Sequence, residues 1–201
     1  MPSDGSTAGF RTNAEKDAVY QLKITLRNVS KPPVWRRVLV HAGASLGELH
    51  PVIVAAMGWD DSHLHMFSDG RAQYGTPDED LDCADEQEFG LADVLFEAGD
   101  QLRYTYDFGD GWDHDIKLEK VLPPEAGLQV AVPVCLAGKG ACPPEDCGGP
   151  WGYADLKETI ADPSNEEREG ILQWLGLEDP SDFDPAAFDL ASVNARLQRS
   201  V

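Results

Sequence analysis

The sequence contains no run of 18 apolar residues, so no membrane-spanning helix is read from it. Its first 17 residues lack the apolar stretch of a secretory signal, and their Pro, Ser, Gly, Thr and Asn content predicts a disordered tail over 1–17. Without an export signal the expected location is cytoplasmic, where disulfides are a poor default. The four cysteines, Cys83, Cys135, Cys142 and Cys147, are therefore expected as reduced thiols or metal ligands. Basic residues are scarce: 16 Lys and Arg stand against 36 Asp and Glu, a net charge of −20. Such a surface repels a phosphate backbone, which makes nucleic acid an unlikely partner by charge alone. The deficit is uneven, because residues 1–40 carry seven basic and three acidic side chains and the other 161 residues carry nine and 33. Within the basic part, Lys23, Arg27, Lys31, Arg36 and Arg37 suit either an acidic or phosphate-bearing partner or internal pairing with the downstream acids.

What is present is enough for one domain with a real core: 201 residues, 42% of them hydrophobic. Tyr20, Leu22, Ile24 and Leu26 alternate with polar residues and predict a half-buried strand, with Val34 to Val40 returning as its hairpin partner. Ser45 and Glu48 form a capping-box pattern ahead of Leu46, Leu49, Ile53 and Met57, with Gly58 as the stop, which predicts a helix. A short hairpin is expected over 65–74, turning at Asp69-Gly70, followed by an acidic loop over 76–88 and a helical turn at 91–95. Leu102, Tyr104, Tyr106 and Phe108 alternate again, Asp110-Gly111 marks a turn, and Trp112, His114, Ile116 and Leu118 form the inward set of the returning strand.

Hairpins on either side of one helix give an α+β fold, expected as a β-grasp-like mixed sheet of two to three hairpins packed on that helix. One domain spans 18–201. Residues 18–122 form its sheet-plus-helix core, 123–150 a Pro/Gly/Cys connector, and 151–201 a helical cap. The cap is read as three short helices: about 152–161, one starting at Ser164 with Glu167 as capping partner, and one between Asp184-Pro185 and Arg199.

Several segments resemble the plasmid pRiA4b ORF-3-like family of bacteria, archaea and mobile elements. They are Val34-Trp-Arg-Arg, Gly58-Trp-Asp-Asp-Ser-His-Leu-His-Met-Phe, Tyr104-Thr-Tyr-Asp-Phe-Gly-Asp-Gly-Trp-Asp-His, Cys135-Leu-Ala-Gly-Lys and Pro143-Pro-Glu-Asp-Cys-Gly-Gly-Pro-Trp-Gly-Tyr, and the resemblance runs over roughly 18–198. It implies a fold more than a function. Some relatives carry a resolvase-like (TnpR) label. A serine resolvase needs an N-terminal nucleophilic Ser, an arginine cluster and a basic helix-turn-helix, whereas this chain ends in an acidic helical segment.

The residues that carry chemistry are His63, His65 and His114, with Asp107 and Asp110 at one end of the last hairpin. Imidazoles and carboxylates are ligands for divalent zinc, iron or manganese, and the same side chains serve equally well as hydrogen-bonding struts of the hairpins. A strand would put His63 and His65 on one face. Trp59 and Trp112, with Glu145 and Asp146 from the Pro-Gly-rich turn, are candidate pocket residues. Cys135, Cys142 and Cys147 form a weaker metal alternative, because the six and four residues between them do not make a Cys-x-x-Cys knuckle. Two functions follow. The first is a binding or interaction module for a protein or small-molecule ligand, associated with plasmids or mobile elements and not necessarily an enzyme. The alternative is a metal-dependent hydrolase using a His/Asp site, with phosphoesters as a candidate substrate class.

Overall fold

A computed structural model describes residues 17–78, 82–129 and 131–200; the tail expected over 1–17 lies outside the described residues except for Asp17. Strands β1 (Val19–Leu26) and β2 (Trp35–His41) form the first hairpin. The alternation holds: Tyr20, Leu22, Ile24 and Leu26 are all buried. Helix α1 (Leu46–Met57) follows, with the Ser45 hydroxyl accepting from the Glu48 N–H and the Glu48 carboxylate accepting from the Ser45 N–H. A cap of this kind contributes about 1 kcal/mol. Gly58 ends the helix at φ 100°, a left-handed angle that any side chain would strain.

Next come β3 (His65–Ser68), β4 (Gln73–Gly75), the two-residue β5 (Ala84–Asp85), the one-turn α2 (Leu91–Val94), β6 (Gln101–Tyr106) and β7 (Trp112–Leu122). The chain continues through α3 (Glu125–Gln129), β8 (Val134–Lys139), α4 (Gly149–Ala161), α5 (Arg168–Trp174), a 3-10 turn at Pro180–Asp182 and α6 (Leu190–Leu197). The strands form one mixed sheet in the order β5-β4-β3-β6-β7-β1-β2-β8, antiparallel except for the β4–β5 pair. The fold is α+β, with α1 and the C-terminal helices sharing a single core with the sheet.

Four expectations need correction. Eight strands make the sheet larger than a β-grasp of two to three hairpins, because β8, in the segment read as a connector, pairs with β2, and β5 extends the opposite edge. No periodicity announces β8, since Gly and Ala fill its second half. Phe108 is not inward with Leu102, Tyr104 and Tyr106; it is 46% exposed, because the strand stops at Tyr106 and Asp107 turns left-handed (φ 55°). The turn therefore spans 107–111 rather than Asp110-Gly111 alone, closed by the Gly111 N–H donating to the Asp107 carbonyl at 2.7 Å. Finally, Ser164 does not cap a helix: its hydroxyl donates to Asp162, and α5 begins only at Arg168.

Arg36 shows how the first hairpin is tied to the helices. It is only 3% exposed and donates to the carbonyls of Ala56, Trp35, Lys139 and Gly140 while stacking on Phe188. Its neighbour Arg37 instead forms a two-pronged pair with Glu119, which holds that carboxyl down at about 2. Of the basic stretch, Arg37 and, more loosely, Arg27 (to Asp115, 3.8 Å) pair internally, while Lys23 lies over the Trp35 ring.

Candidate metal centre

Each carboxylate that reaches His63 is aimed by its own backbone. His63 lies just before β3, in the loop leaving α1, and is partly buried. Asp107 follows directly on β6. Its N–H donates to the Leu64 carbonyl at 2.9 Å, and its Oδ1 accepts from the N–H groups of Gly109 (2.9 Å) and Asp110 (3.3 Å). Those bonds lock the carboxylate so that Oδ2 faces His63 Nδ1 at 3.7 Å. Asp146, at φ 57°, brings Oδ1 to 3.4 Å from His63 Nε2. One ligand atom from each of His63, Asp107 and Asp146 lies within 4.8 Å of the others, a grouping that could hold a divalent cation. His63 Nε2 is buried with no hydrogen-bond partner, so the cluster has an unsatisfied donor or acceptor at its centre.

Asp146 is delivered by the docking of one loop on another. The Gly148 N–H donates to Asp110 Oδ2 at 3.2 Å, and Gly149 (φ 68°) presses on the Asp110 carbonyl so closely that a Cβ there would lie 2.2 Å from its oxygen. Only glycine satisfies both conditions. This is the physical sense of Asp146-Cys-Gly-Gly-Pro: the 107–111 turn and the start of α4 interlock, and the two carboxylates converge. Glu145, next in the chain, accepts from the Tyr106 hydroxyl (2.5 Å) and the Asp60 N–H (3.1 Å), and Tyr106 in turn accepts from the Ser62 N–H. Burial first, and then the Glu145 carboxylate, push the Tyr106 phenol well up, so it stays a neutral donor.

The residues singled out from the sequence fall in separate places. His65 is two positions from His63 but faces another cluster, because His63 precedes the strand and does not share its alternation. His65 Nε2 meets the buried Glu86 at 2.8 Å, and its ring stacks on His50 with centroids 3.5 Å apart and 6° between planes. His50 reaches Tyr104 Oη (2.8 Å) and Asp61 (2.6 Å); burial, reinforced by His65, pushes its imidazole down despite Asp61. His50, Asp61 and Glu86 were not anticipated. The helical position of His50, one residue after buried Leu49, was the available signal; nothing marked Glu86 in its acidic loop.

His114 is fully buried among Trp59, Tyr104 and their neighbours; neither of its ring nitrogens, nor Trp112 Nε1, makes a well-formed hydrogen bond among the described residues, and the Tyr104 and Trp112 backbones are its polar surroundings. Burial holds the His114 imidazole down at about 4. Asp110 serves the loop contact described above. Trp59 donates to the Pro143 carbonyl and lines a cleft of about 560 Å³ with Glu145, Tyr153 and Arg196, whereas Trp112 is inside the core. The three thiols form no ligand-distance group among the described residues. Burial raises all three, Cys147 to about 12 with help from Asp110.

Comparison with known proteins locates this arrangement. The family profile described as plasmid pRiA4b ORF-3-like protein matches residues 18–192. The chain is 41% identical over 180 residues to the uncharacterized protein y4hQ of Sinorhizobium fredii, covering 88% of this chain and 89% of that one. A crystal structure of a protein of unknown function, MM3350 from Methanosarcina mazei Go1, superposes with a TM-score of 0.76 at 37% identity, covering 87% of this chain and 96% of that chain. No helix among the described residues is long and apolar enough to cross a membrane.

Proposed function

The chain belongs to the plasmid pRiA4b ORF-3-like family, and from that premise we propose that it is a divalent-metal-dependent protein whose His63–Asp107–Asp146 cluster holds the ion in a hydrolytic site. One observation carries the reading: His63 stands between two carboxylates, Asp107 Oδ2 at 3.7 Å from Nδ1 and Asp146 Oδ1 at 3.4 Å from Nε2, and its buried Nε2 makes no hydrogen bond. One imidazole and two carboxylates suit zinc, manganese or ferrous iron, and three protein ligands leave coordination positions for water and substrate. An ion held there supplies a water that ionises near neutral pH.

The chain's own residues do the rest. The Gly109 and Asp110 amides orient Asp107, the arrangement by which outer partners aim a ligand. Glu145 has both oxygens engaged and fixes the segment that carries Asp146. Asp110 commits Oδ2 to the Gly148 amide and so helps hold the loop that carries Asp146.

Calorimetric titration with zinc and manganese, checked by elemental analysis, tests this. The expected result is one ion per chain, with affinity lowered at least about tenfold in His63→Ala and Asp146→Asn. Failure of the wild-type protein to bind any divalent ion would sink the reading. A second reading, a binding module without chemistry, is favoured by the 560 Å³ cleft bordered by Trp59 and Arg196. It predicts a ligand or partner retained in the presence of a chelator, measurable by pull-down.

A further inference from the structure

The metal reading leaves the cleft of about 560 Å³ unused. The end of α1 and the segment after β8 form one side of it, and the chain after α5 with α6 forms the other. Its volume falls within the roughly 300–1,000 Å³ of small-molecule sites. The two sides are fixed to one another. The Ala141 N–H donates to the Pro185 carbonyl at 3.0 Å, and Arg196 Nε donates to the Ala55 carbonyl at 2.9 Å. The Trp59 indole, held by its bond to the Pro143 carbonyl, shares the apolar wall with Tyr153, Leu175, Leu177 and Phe183. A preformed cleft with aromatic walls suits an organic body rather than a bare ion.

The polar lining decides the charge of the occupant. It carries four carboxylates, Asp60, Glu145, Asp182 and Asp184, against one guanidinium, Arg196. Glu145 has both oxygens engaged, by the Tyr106 hydroxyl and the Asp60 N–H. Asp182 and Asp184 each accept one backbone N–H, from Asp179 and Ala186, and neither is ion-paired among the described residues. The Asp60 carboxylate has neither a hydrogen bond nor an ion pair among them. Arg196 is pinned to the end of α1: besides its bond to Ala55, it packs on Gly58, where an added Cβ would meet Nη2 at 3.3 Å. An entering anion meets these acids and the field of a chain with net charge −20, whereas both attract a cation. The rings add to this, because an aromatic face attracts a cation within about 6 Å of its centroid. Lys157 Nζ already lies 4.6 Å from the Tyr153 centroid without lining the cleft. We propose that the cleft binds a small organic amine, its ammonium turned to the Asp60, Asp182 and Asp184 carboxylates and its apolar body against Trp59 and Phe183. This names the ligand class of the cleft on which the binding-module reading rests, and it stands whether or not the His63 cluster holds an ion.

Three compounds with one body and three head groups test it: phenethylamine, phenethyl alcohol and 3-phenylpropionate, which are cationic, neutral and anionic at neutral pH. Each is titrated calorimetrically into the full chain with a chelator present, so that the metal cluster takes no part, and at ~0.15 M salt, which screens distant charges. The amine is expected to bind at least about tenfold more tightly than the alcohol, and the alcohol more tightly than the carboxylate. In Asp60→Asn/Asp182→Asn/Asp184→Asn the amide oxygens can still accept the Asp179 and Ala186 N–H groups, and the advantage of the amine is expected to fall below about threefold. All three positions are exposed, so the variant is expected to fold, which circular dichroism verifies. Tighter binding of the carboxylate would assign the cleft to an anion on Arg196, keeping a binding module and overturning the amine. Equal affinity for amine and alcohol, an advantage that survives in the folded variant, or no binding of the amine to the wild type at ~1 mM would each overturn it as well. The ranking in the wild type decides even if the variant does not fold. None of these outcomes alters the metal titration, so the two sites fail separately.

Discussion

At the residue scale, the costliest feature is His114. An imidazole with no exposure and no well-formed hydrogen bond at either nitrogen gives up its hydration and recovers only the polar backbones of Tyr104 and Trp112, an edge-on contact with Trp59 and a tilted one with Tyr104. The consequence is a pH dependence with a definite sign. The unfolded ring takes a proton near 6.5 and the folded ring only near 4. Below 6.5 the unfolded state thus binds more protons. The stability tied to keeping this ring neutral is fully present above 6.5 and is lost as pH falls toward 4, by roughly 3 kcal/mol in all. His50, also held down by burial, adds in the same direction. Urea denaturation of the wild type and His114→Phe at pH 7 and pH 4.5 checks this. The variant is expected to stay within about 1 kcal/mol of wild type at pH 7, since both weakly satisfied ring nitrogens are removed together, and to gain on it at pH 4.5. Parallel losses in the two proteins would show that His114 does not control the acid response.

At the element scale, the meeting of the 107–111 turn with the start of α4 is the joint on which the candidate site depends. Gly149→Ala would place a Cβ 2.2 Å from the Asp110 carbonyl oxygen at φ 68°. It is expected to destabilise the chain by about 2–4 kcal/mol and to weaken metal binding in parallel, because Asp146 is carried away from His63. Gly170→Ala is the control: it lies within α5, has open space around it and an ordinary φ, and is expected to stabilise by about 0.5–1 kcal/mol with metal affinity unchanged. Chemical denaturation and metal titration of the two variants give both readouts. The elements themselves were legible where a period was clean. The face of β1, the capping box of α1 and the inward set Trp112, His114, Ile116 and Leu118 are as the alternation and spacing predict. β8 and β5 were not legible, because edge strands of Gly, Ala and Asp carry no burial pattern and are defined by the strand they pair with.

At the scale of the whole molecule, a net charge of −20 on 201 residues means that the compact state works against its own field. Raising sodium chloride from ~0.01 M to ~0.5 M shortens the screening length from about 30 Å to a few ångströms and is expected to raise Tm by several degrees, measurable by calorimetry. A flat response would mean that local pairs such as Arg37–Glu119, rather than the summed field, govern the charge contribution to stability.

Composition, alternation and capping chemistry determined from the sequence alone that this is an acidic α+β chain with a helix packed on antiparallel hairpins, and the motif residues placed it in its family. These are local properties, set by neighbours along the chain. Which of the histidines and carboxylates meet was decided only by tertiary structure. His63 and His65 are two residues apart yet belong to different clusters, because one precedes a strand and the other begins it. Asp146 reaches His63 from a loop 83 residues away because two glycines let that loop close on the Asp110 carbonyl. Contacts across such separations depend on how elements dock, and docking is a property of the assembled surfaces that no window of sequence contains.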